Sequence, residues 1–377
     1  MAAIKTAPWS GEALRATLDS YRITLEASLY VAGSTTAYPL SLVDASVDYS
    51  GRRSPRVHAD LTGAWPTAQT RSLMDPRMGL EVEIRAGYEF LGSGTQDTQT
   101  LCRLRVQTAT KDYREKTIAI SADSDEVIAI GYPIETADSL GTSNGVVTAI
   151  QNLIEDAFVG ETLTWSIGEN VAKGVTFDDT QELTPGQDRW AFIQDWADSI
   201  GAVVYHDGLG VWHIENADPT PSAFTVANLR TGARGTVTRL RTEESLEGYA
   251  NRAAAVYEYT VGTTSYRKTA IASTGLTPRQ MVTDIKRFKP HNSGEVARRM
   301  LMRGLRRGHT VEVSAASYLW VRPGYTATVE LPDGGQERLL VETVDFDLAA
   351  GEMTLTGQNA DGAPFSEITT TLTTTTL

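Results

Sequence analysis

Arg103-Leu104-Arg105-Val106-Gln107-Thr108-Ala109 and Arg338-Leu339-Leu340-Val341-Glu342-Thr343-Val344 read as two versions of one strand. Holding that alignment without a gap puts Ile118 on Met353 and Ile120 on Leu355, so the next strand matches too. Between the strands lie turn-rich stretches: Lys111-Asp112-Tyr113-Arg114-Glu115 in one copy, Asp347-Leu348-Ala349-Ala350-Gly351 in the other. Each copy follows a further strand opened by a proline. Pro76 stands ahead of Leu80-Glu81-Val82-Glu83-Ile84, and Pro323 ahead of Ala327-Thr328-Val329-Glu330-Leu331. Any two alternating hairpins look alike, but a register that survives a turn argues for an internal repeat.

Strand patterning surrounds both copies. Tyr21-Arg22-Ile23-Thr24-Leu25-Glu26-Ala27 and Lys116-Thr117-Ile118-Ala119-Ile120-Ser121 alternate apolar and polar residues, as an antiparallel sheet with one buried face requires. Between the copies the period lengthens. Ser143 is placed to cap a helix carrying Val146, Val147, Ile150, Leu153, Ile154 and Ala157. A second helix follows Thr184-Pro185-Gly186, buries Trp190, Ile193, Ala197 and Ile200, and ends near Gly201. Ala202–His206 and Val211–Ile214 then flank Asp207-Gly208-Leu209-Gly210, a hairpin signal. Strands resume at Arg252–Tyr259. Ser293 is placed to cap a helix over 294–307, and a last hairpin turns at Pro332-Asp333-Gly334-Gly335.

The expected fold class is therefore mainly β with an α+β insert. Two tube-like antiparallel β-barrels, in residues 1–135 and 229–360, flank a helix-and-hairpin middle domain in 136–228. The helix over 294–307 falls in the second barrel domain. The Thr-rich segment 361–377 carries few apolar side chains and is expected to stay unpacked unless a partner orders it.

The chain has 377 residues, enough for two or three domains. With 34 Lys and Arg against 47 Asp and Glu its formal charge is −13, which disfavours tight, sequence-independent nucleic-acid binding. No apolar run is long enough to span a bilayer, and Met1–Trp9 lacks the apolar stretch of a signal peptide. The lone Cys102 excludes an intrachain disulfide and a cysteine-based zinc site, and reads as a buried thiol.

Catalytic signals are sparse. His206 and His213 flank one hairpin, but their spacing puts them out of direct opposition, and His58, His291 and His309 have no metal-binding spacing. Asp75, Asp123, Asp125, Asp178 and Asp179 read as turn carboxylates. No nucleophile elbow or phosphate-binding glycine loop stands between a strand and a helix. No cofactor, no metal and no enzymatic activity is expected. The candidate interaction site is Arg298, Arg299, Arg303, Arg306 and Arg307, which share one side of the helix over 294–307. They read as a solvated face, as a face pairing with carboxylates of the same chain or another subunit, or, third, as a nucleic-acid contact.

The order of motifs resembles a known family. Arg189-Trp190-Ala191-Phe192-Ile193-Gln194-Asp195-Trp196-Ala197-Asp198-Ser199-Ile200-Gly201 followed by Val203–Trp212 is similar to the helix-then-hairpin of phage tail hub proteins. Asn251–Val256, Ser293–Leu301, Val321-Arg322-Pro323-Gly324-Tyr325 and Leu339–Asp347 resemble later elements of the same hubs. The resemblance covers roughly residues 20–360. It implies a baseplate-hub or tail-tip hub of siphophages and myophages, with two tube-like barrels per chain and three chains in a pseudo-sixfold ring. Such a homotrimer caps the tail tube and gates genome ejection. Its implied partners are a distal tail protein or tail-tube hexamer, the tape measure protein and other tail-tip or receptor-binding proteins, with DNA only in transit through the lumen, and its implied location is the virion tail tip, after assembly in the host cytoplasm. Many hubs continue into a lytic or receptor-binding region, whereas only the Thr-rich stub follows residue 360 here. Two other function classes compete. One is a carbohydrate-binding adhesin using Trp65, Trp165, Trp196, Trp212 or Trp320. The other is a cell-wall hydrolase, for which no nucleophile or metal set is recognisable.

Overall fold

The computed structural model describes residues 9, 21–32, 34–217, 225–232, 235–277, 280–360 and 368–376. The N-terminal third contains β1 (Tyr21–Tyr30), β2 (Tyr38–Leu40), β3 (Leu42–Ser50), β4 (Val57–Ala64), α1 (Ala68–Leu73), β5 (Glu81–Phe90), β6 (Gln96–Asp112), β7 (Thr117–Asp123) and α2 (Glu126–Gly131). The middle holds β8 (Asp138–Leu140), α3 (Val146–Glu155), β9 (Thr164–Ile167), β10 (Gln181–Leu183), α4 (Arg189–Ser199), β11 (Ala202–His206), β12 (Val211–Asn216) and β13 (Ala227–Leu229). Then come β14 (Val237–Glu244), β15 (Arg252–Val261), β16 (Thr264–Ser273), β17 (Met281–Lys286) and α5 (Ser293–Arg306). The chain closes with β18 (His309–Ala316), β19 (Thr326–Glu330), β20 (Gln336–Asp347), β21 (Glu352–Asn359) and β22 (Thr369–Thr376).

The repeat is present in the hydrogen-bond ladder. One unit runs β3-β4-β7-β6-β5 and the other β14-β18-β21-β20-β19. Val106 faces Ala122 and Thr108 faces Ser121, which leaves Gln107 as the extra residue of a bulge. In the other unit Val341 faces Gly357 and Thr343 faces Thr356, which leaves Glu342 in the same role. A second bulge also repeats: Val43 is skipped between Leu42/Gly63 and Asp44/Thr62, and Thr238 between Val237/Ala315 and Arg239/Ser314. A bulge re-aims a strand and sharpens its twist, so two matched bulges give both units the same bend. The units differ at one flank: β5 is followed by the antiparallel β1, β19 by the parallel β13.

The two units are joined to each other by strand pairing. Among the described residues the ladder passes from one to the other through β3 and β20, making one 13-stranded sheet over one core. The reason is local. Val47 and Tyr49 on β3 are apolar at the positions that meet Val344 and Phe346 on β20, and all four side chains are buried. Stopping the sheet between them would expose that surface.

Core membership also cuts across the expected spans. The sheet β17-β15-β16-β22 and the helix α5 share a second core with the middle segment, around Trp196, Trp212, Tyr257 and Phe288. Among the described residues, none of their buried apolar side chains belongs to the core that holds β18–β21. Ala253 and Ala255 on β15 and Ala270 and Ala272 on β16 are small, so the apolar stripe Val296, Ala297, Leu301 and Leu305 of α5 can lie close to them. Where α5 ends, a Cβ on Gly304 would stand 2.7 Å from that of Ala250, so only glycine fits.

Helix ends differ from expectation in two places. Gly145, not Ser143, is the residue before α3. Asn292, not Ser293, precedes α5, in the left-handed region at φ 46°, and its amide donates to the Ser199 carbonyl at 3.0 Å. The end of α4 is as expected, with Gly201 at φ 71°. The Thr-rich tail is a larger correction. Its residues 369–376 form β22, antiparallel to β16 from Thr369/Ser273 to Thr376/Tyr266. Threonine is β-branched and suits a strand, and the open edge of β16 supplies the backbone partners.

Candidate assembly surface

The junction between the units is built from β3 and β20. Tyr49 and Phe346 meet edge to face, with ring centroids 6.1 Å apart. The Arg322 guanidinium lies over the Tyr49 ring at 4.0 Å, and the Tyr49 hydroxyl donates to the Leu101 carbonyl at 2.7 Å. Just past β3, the Gly51 amide donates to the Glu342 carbonyl at 2.6 Å, and a Cβ at Gly51 would stand 3.1 Å from that oxygen. Arg52 and Glu342 form an ion pair beside it. The bulge residue Glu342 therefore holds the junction with both its backbone and its side chain. Of this set, only the alternation of Ala45, Val47 and Tyr49 was available in the sequence to suggest a buried strand face.

The five arginines of the α5 segment divide between tasks within the chain. Arg303 pairs with Asp198 on α4, which ties α5 to the middle segment. Arg299 donates to Glu295 one turn earlier at 3.0 Å and packs against Gly201. Arg298 reaches the same Glu295 at 3.5 Å from an exposed position. Arg307, just after α5, lays its stem against Gly248, 3.2 Å from where a Cβ would be. Arg306 sits in the last turn and is half-buried.

Several titratable groups are buried in or beside the two cores. Asp195 is fully buried, accepts from the Tyr257 hydroxyl at 2.8 Å and has Lys286 Nζ at 3.4 Å. Burial outweighs those partners and pushes its carboxyl up to about 6. Glu126 accepts from the backbone amides of Arg56 and His206 and is pushed up to about 7 by burial. The His206 Nδ1 accepts from the amides of Asp125 and Gly208, and burial holds the ring below its ordinary value. His206 faces Trp212 across the hairpin while His213 faces Tyr205, so the two histidines are indeed not opposed. His213 lies between Asp207 and Glu215, at 3.2 and 3.3 Å. His58 lies between Asp123 and Asp60, His291 pairs with Asp178, and His309 with Glu337. Among the described residues no group of three His, Cys, Asp or Glu side chains is placed to hold a metal ion. Cys102 is buried in the first core, where desolvation pushes its thiol up to about 12. Trp196, Trp212 and Trp320 are buried as well, which leaves Trp65 and Trp165 as the partly exposed members of that set.

No protein-family model matches the chain, and no curated protein matches it by sequence. Solved structures do. A tail protein from Neisseria meningitidis MC58 superposes with a TM-score of 0.62 at 12% identity, over 89% of this chain and 96% of that one. The chain has the fold of phage tail proteins. The 43 kDa tail protein of prophage MuSo2 from Shewanella oneidensis matches at 0.60 and 14% identity, over 89% and 99% of the two chains. Prophage tail protein gp18 from Listeria monocytogenes EGD-e matches at 0.53 and 10%, over 89% and 95%. Nearly the whole of each relative is covered, so this tail-protein fold includes both β-units and the α+β body between them.

Proposed function

We propose that the chain is a structural hub of a phage tail tip. Three copies form a pseudo-sixfold ring that caps the tail tube and gates genome ejection. The observation that carries this reading is the duplication: two β-units in one chain share strand order, register and both bulge positions. A chain that presents one shape twice offers six near-equivalent units in a threefold ring, and closed cyclic symmetry is the common way to repeat an interface. Its neighbours are a distal tail protein or tube hexamer, the tape measure protein and receptor-binding proteins. DNA passes through the lumen only in transit, and a chain of formal charge −13 repels phosphates rather than holding them. Its role is non-enzymatic, its place is the virion tail tip, and it is assembled in the host cytoplasm. Part of the arginine face of Arg298, Arg299, Arg303, Arg306 and Arg307 lines a subunit interface. The test is the mass of the purified chain in solution, together with imaging of assembled tails. A trimer on a threefold axis is expected. A strict monomer at high concentration, or tails with no threefold axis through this protein, sinks the reading.

A further inference from the structure

The duplicated ladder has one junction inside the chain and two unmatched edges that correspond to it. Thr343–Asp347 of β20 pair with β3 in the register Thr343/Ser50, Val344/Tyr49, Asp345/Asp48, Phe346/Val47 and Asp347/Ser46. The equivalent of that half of β20 is Thr108–Asp112 on β6, and the equivalent of that half of β3 is Arg241–Ser245 on and just past β14. Both equivalences follow from the repeat register. Among the described residues, Thr108–Asp112 pair only with β7, because the β5 partners stop at Arg105. Among the described residues the only strand that β14 pairs with is β18, and β14 ends the sheet.

We infer that Thr108–Asp112 of one copy pair, antiparallel, with Arg241–Ser245 of a second copy of this chain. The register is Thr108/Ser245, Ala109/Glu244, Thr110/Glu243, Lys111/Thr242 and Asp112/Arg241. This inference rests on the proposed homotrimer and specifies its seam.

Three observations support it. The first is burial. Val344 and Phe346 are buried where β3 covers them, whereas their equivalents Ala109 and Lys111 are only half-covered. Likewise Val47 and Tyr49 are buried, and their equivalents Thr242 and Glu244 are exposed. The second is polarity. The internal junction is apolar on its core face, but the two free edges carry Lys111, Asp112, Arg241, Glu243 and Glu244. An edge that waits for a partner must stay soluble until it meets one, and charges on edge strands serve that purpose. The third is complementarity. In the inferred register Asp112 stands opposite Arg241, and Lys111 lies diagonal to Glu244 on the other face, so opposite charges meet on both faces. Within the chain three of these groups make contacts that a partner could replace: Arg241 with Glu243 at 2.6 Å, Lys111 with the Arg71 carbonyl at 2.8 Å, and Glu244 with His309 at 3.8 Å, while Asp112 Oδ1 accepts from the backbone amides of Arg114 and Glu115, both at 2.8 Å, and keeps that turn in place. Each chain then supplies one β6 edge and accepts on one β14 edge. That head-to-tail interface closes into a ring.

Cysteines at Thr110 and Glu243 test the register, since directly opposed residues lie within disulfide reach and a two-residue shift does not. The full-length double variant is oxidised at a concentration where the mass of the unmodified protein has been measured. The native Cys102 is buried and stays silent. The expected result is a covalent trimer on a non-reducing gel for the pair Thr110→Cys with Glu243→Cys. Monomer alone is expected for each single variant and for Thr110→Cys with Arg241→Cys. A protein of trimer mass whose Thr110/Glu243 pair does not cross-link overturns this pairing and leaves the homotrimer standing. Equal cross-linking of the shifted pair also overturns it. A protein of monomer mass at high concentration overturns both.

Discussion

Gln107 and Glu342 hold the same place in two ladders: each is the unpaired residue of a bulge, 235 positions apart, with Val106 and Val341 immediately before them. Their surroundings have diverged. Gln107 is exposed, while Glu342 accepts from the Gly51 amide through its backbone and pairs with Arg52 through its side chain. The duplicated backbone was thus given a new task in one copy, that of anchoring the second unit to the first.

That anchor gives the first prediction. Gly51→Val should destabilise the fold by about 1–3 kcal/mol, because the added carbons meet the Glu342 carbonyl and Pro323 and the strand ends must separate. Gln107→Ala at the equivalent bulge should change stability by less than about 0.5 kcal/mol. Paired denaturant melts give both numbers, and equal effects would deny the junction its role.

The second prediction concerns pH. Glu126 is held near 7 in the fold against an ordinary value of 4.5, so its protonated form is favoured on folding. Its contribution is complete below about 4.5 and is lost as pH rises through about 7. Relative to Glu126→Gln, the native protein should therefore lose stability between about pH 5 and 7. His206, whose shift has the opposite sign, is common to both proteins and drops out of the difference. Two parallel stability profiles would show that Glu126 does not titrate in this range.

Tyr257→Phe removes the hydroxyl that donates to the buried Asp195. A buried acceptor left short of a donor costs about 1–3 kcal/mol, and Lys286 at 3.4 Å offsets part of that. The melting temperature should fall, and the fall should shrink in the double variant with Asp195→Asn. Strict additivity in that cycle would mean the two groups do not interact.

For the arginine helix we expect the triple change Arg299, Arg303 and Arg306 to Gln to weaken trimerisation most at low salt. The Arg303 pair with Asp198 is half-exposed and should contribute only about 0–1 kcal/mol to the fold itself. Association measured by sedimentation at two salt concentrations separates the effects. Association unchanged at both would confine these arginines to packing within the chain.

Much of this architecture was legible in the sequence, and the reasons lie in particular residues. The β6/β20 repeat could be found because Val106, Ile118 and Ile120 keep their spacing through a turn, and so do their counterparts. The passage from α4 through β11 to β12 was readable because Gly201, after α4, and Gly208, in the β11–β12 turn, sit where the backbone needs positive φ. The β3–β20 pairing was not readable. Partners almost 300 residues apart carry no local mark, and an alternating strand does not say which edge it will meet. The assignment of β15–β17 and α5 to the second core escaped for a similar reason, since rows of alanine say only that something lies close. The candidate site was half visible: helical spacing gathered the arginines on one side, but nothing local named Asp198 as the partner of Arg303.

The strand β22 consists of threonine at every position except Leu372. Its ladder with β16 is fixed by backbone bonds that are alike at each step, so the side chains say little about which threonine meets which partner. Leu372, together with Thr370 above Gly294 of α5, is the one mark that distinguishes this alignment from its neighbours two residues away. The segment works like a ruler with a single graduation. Losing Leu372 would leave the strand attached but would erase its address.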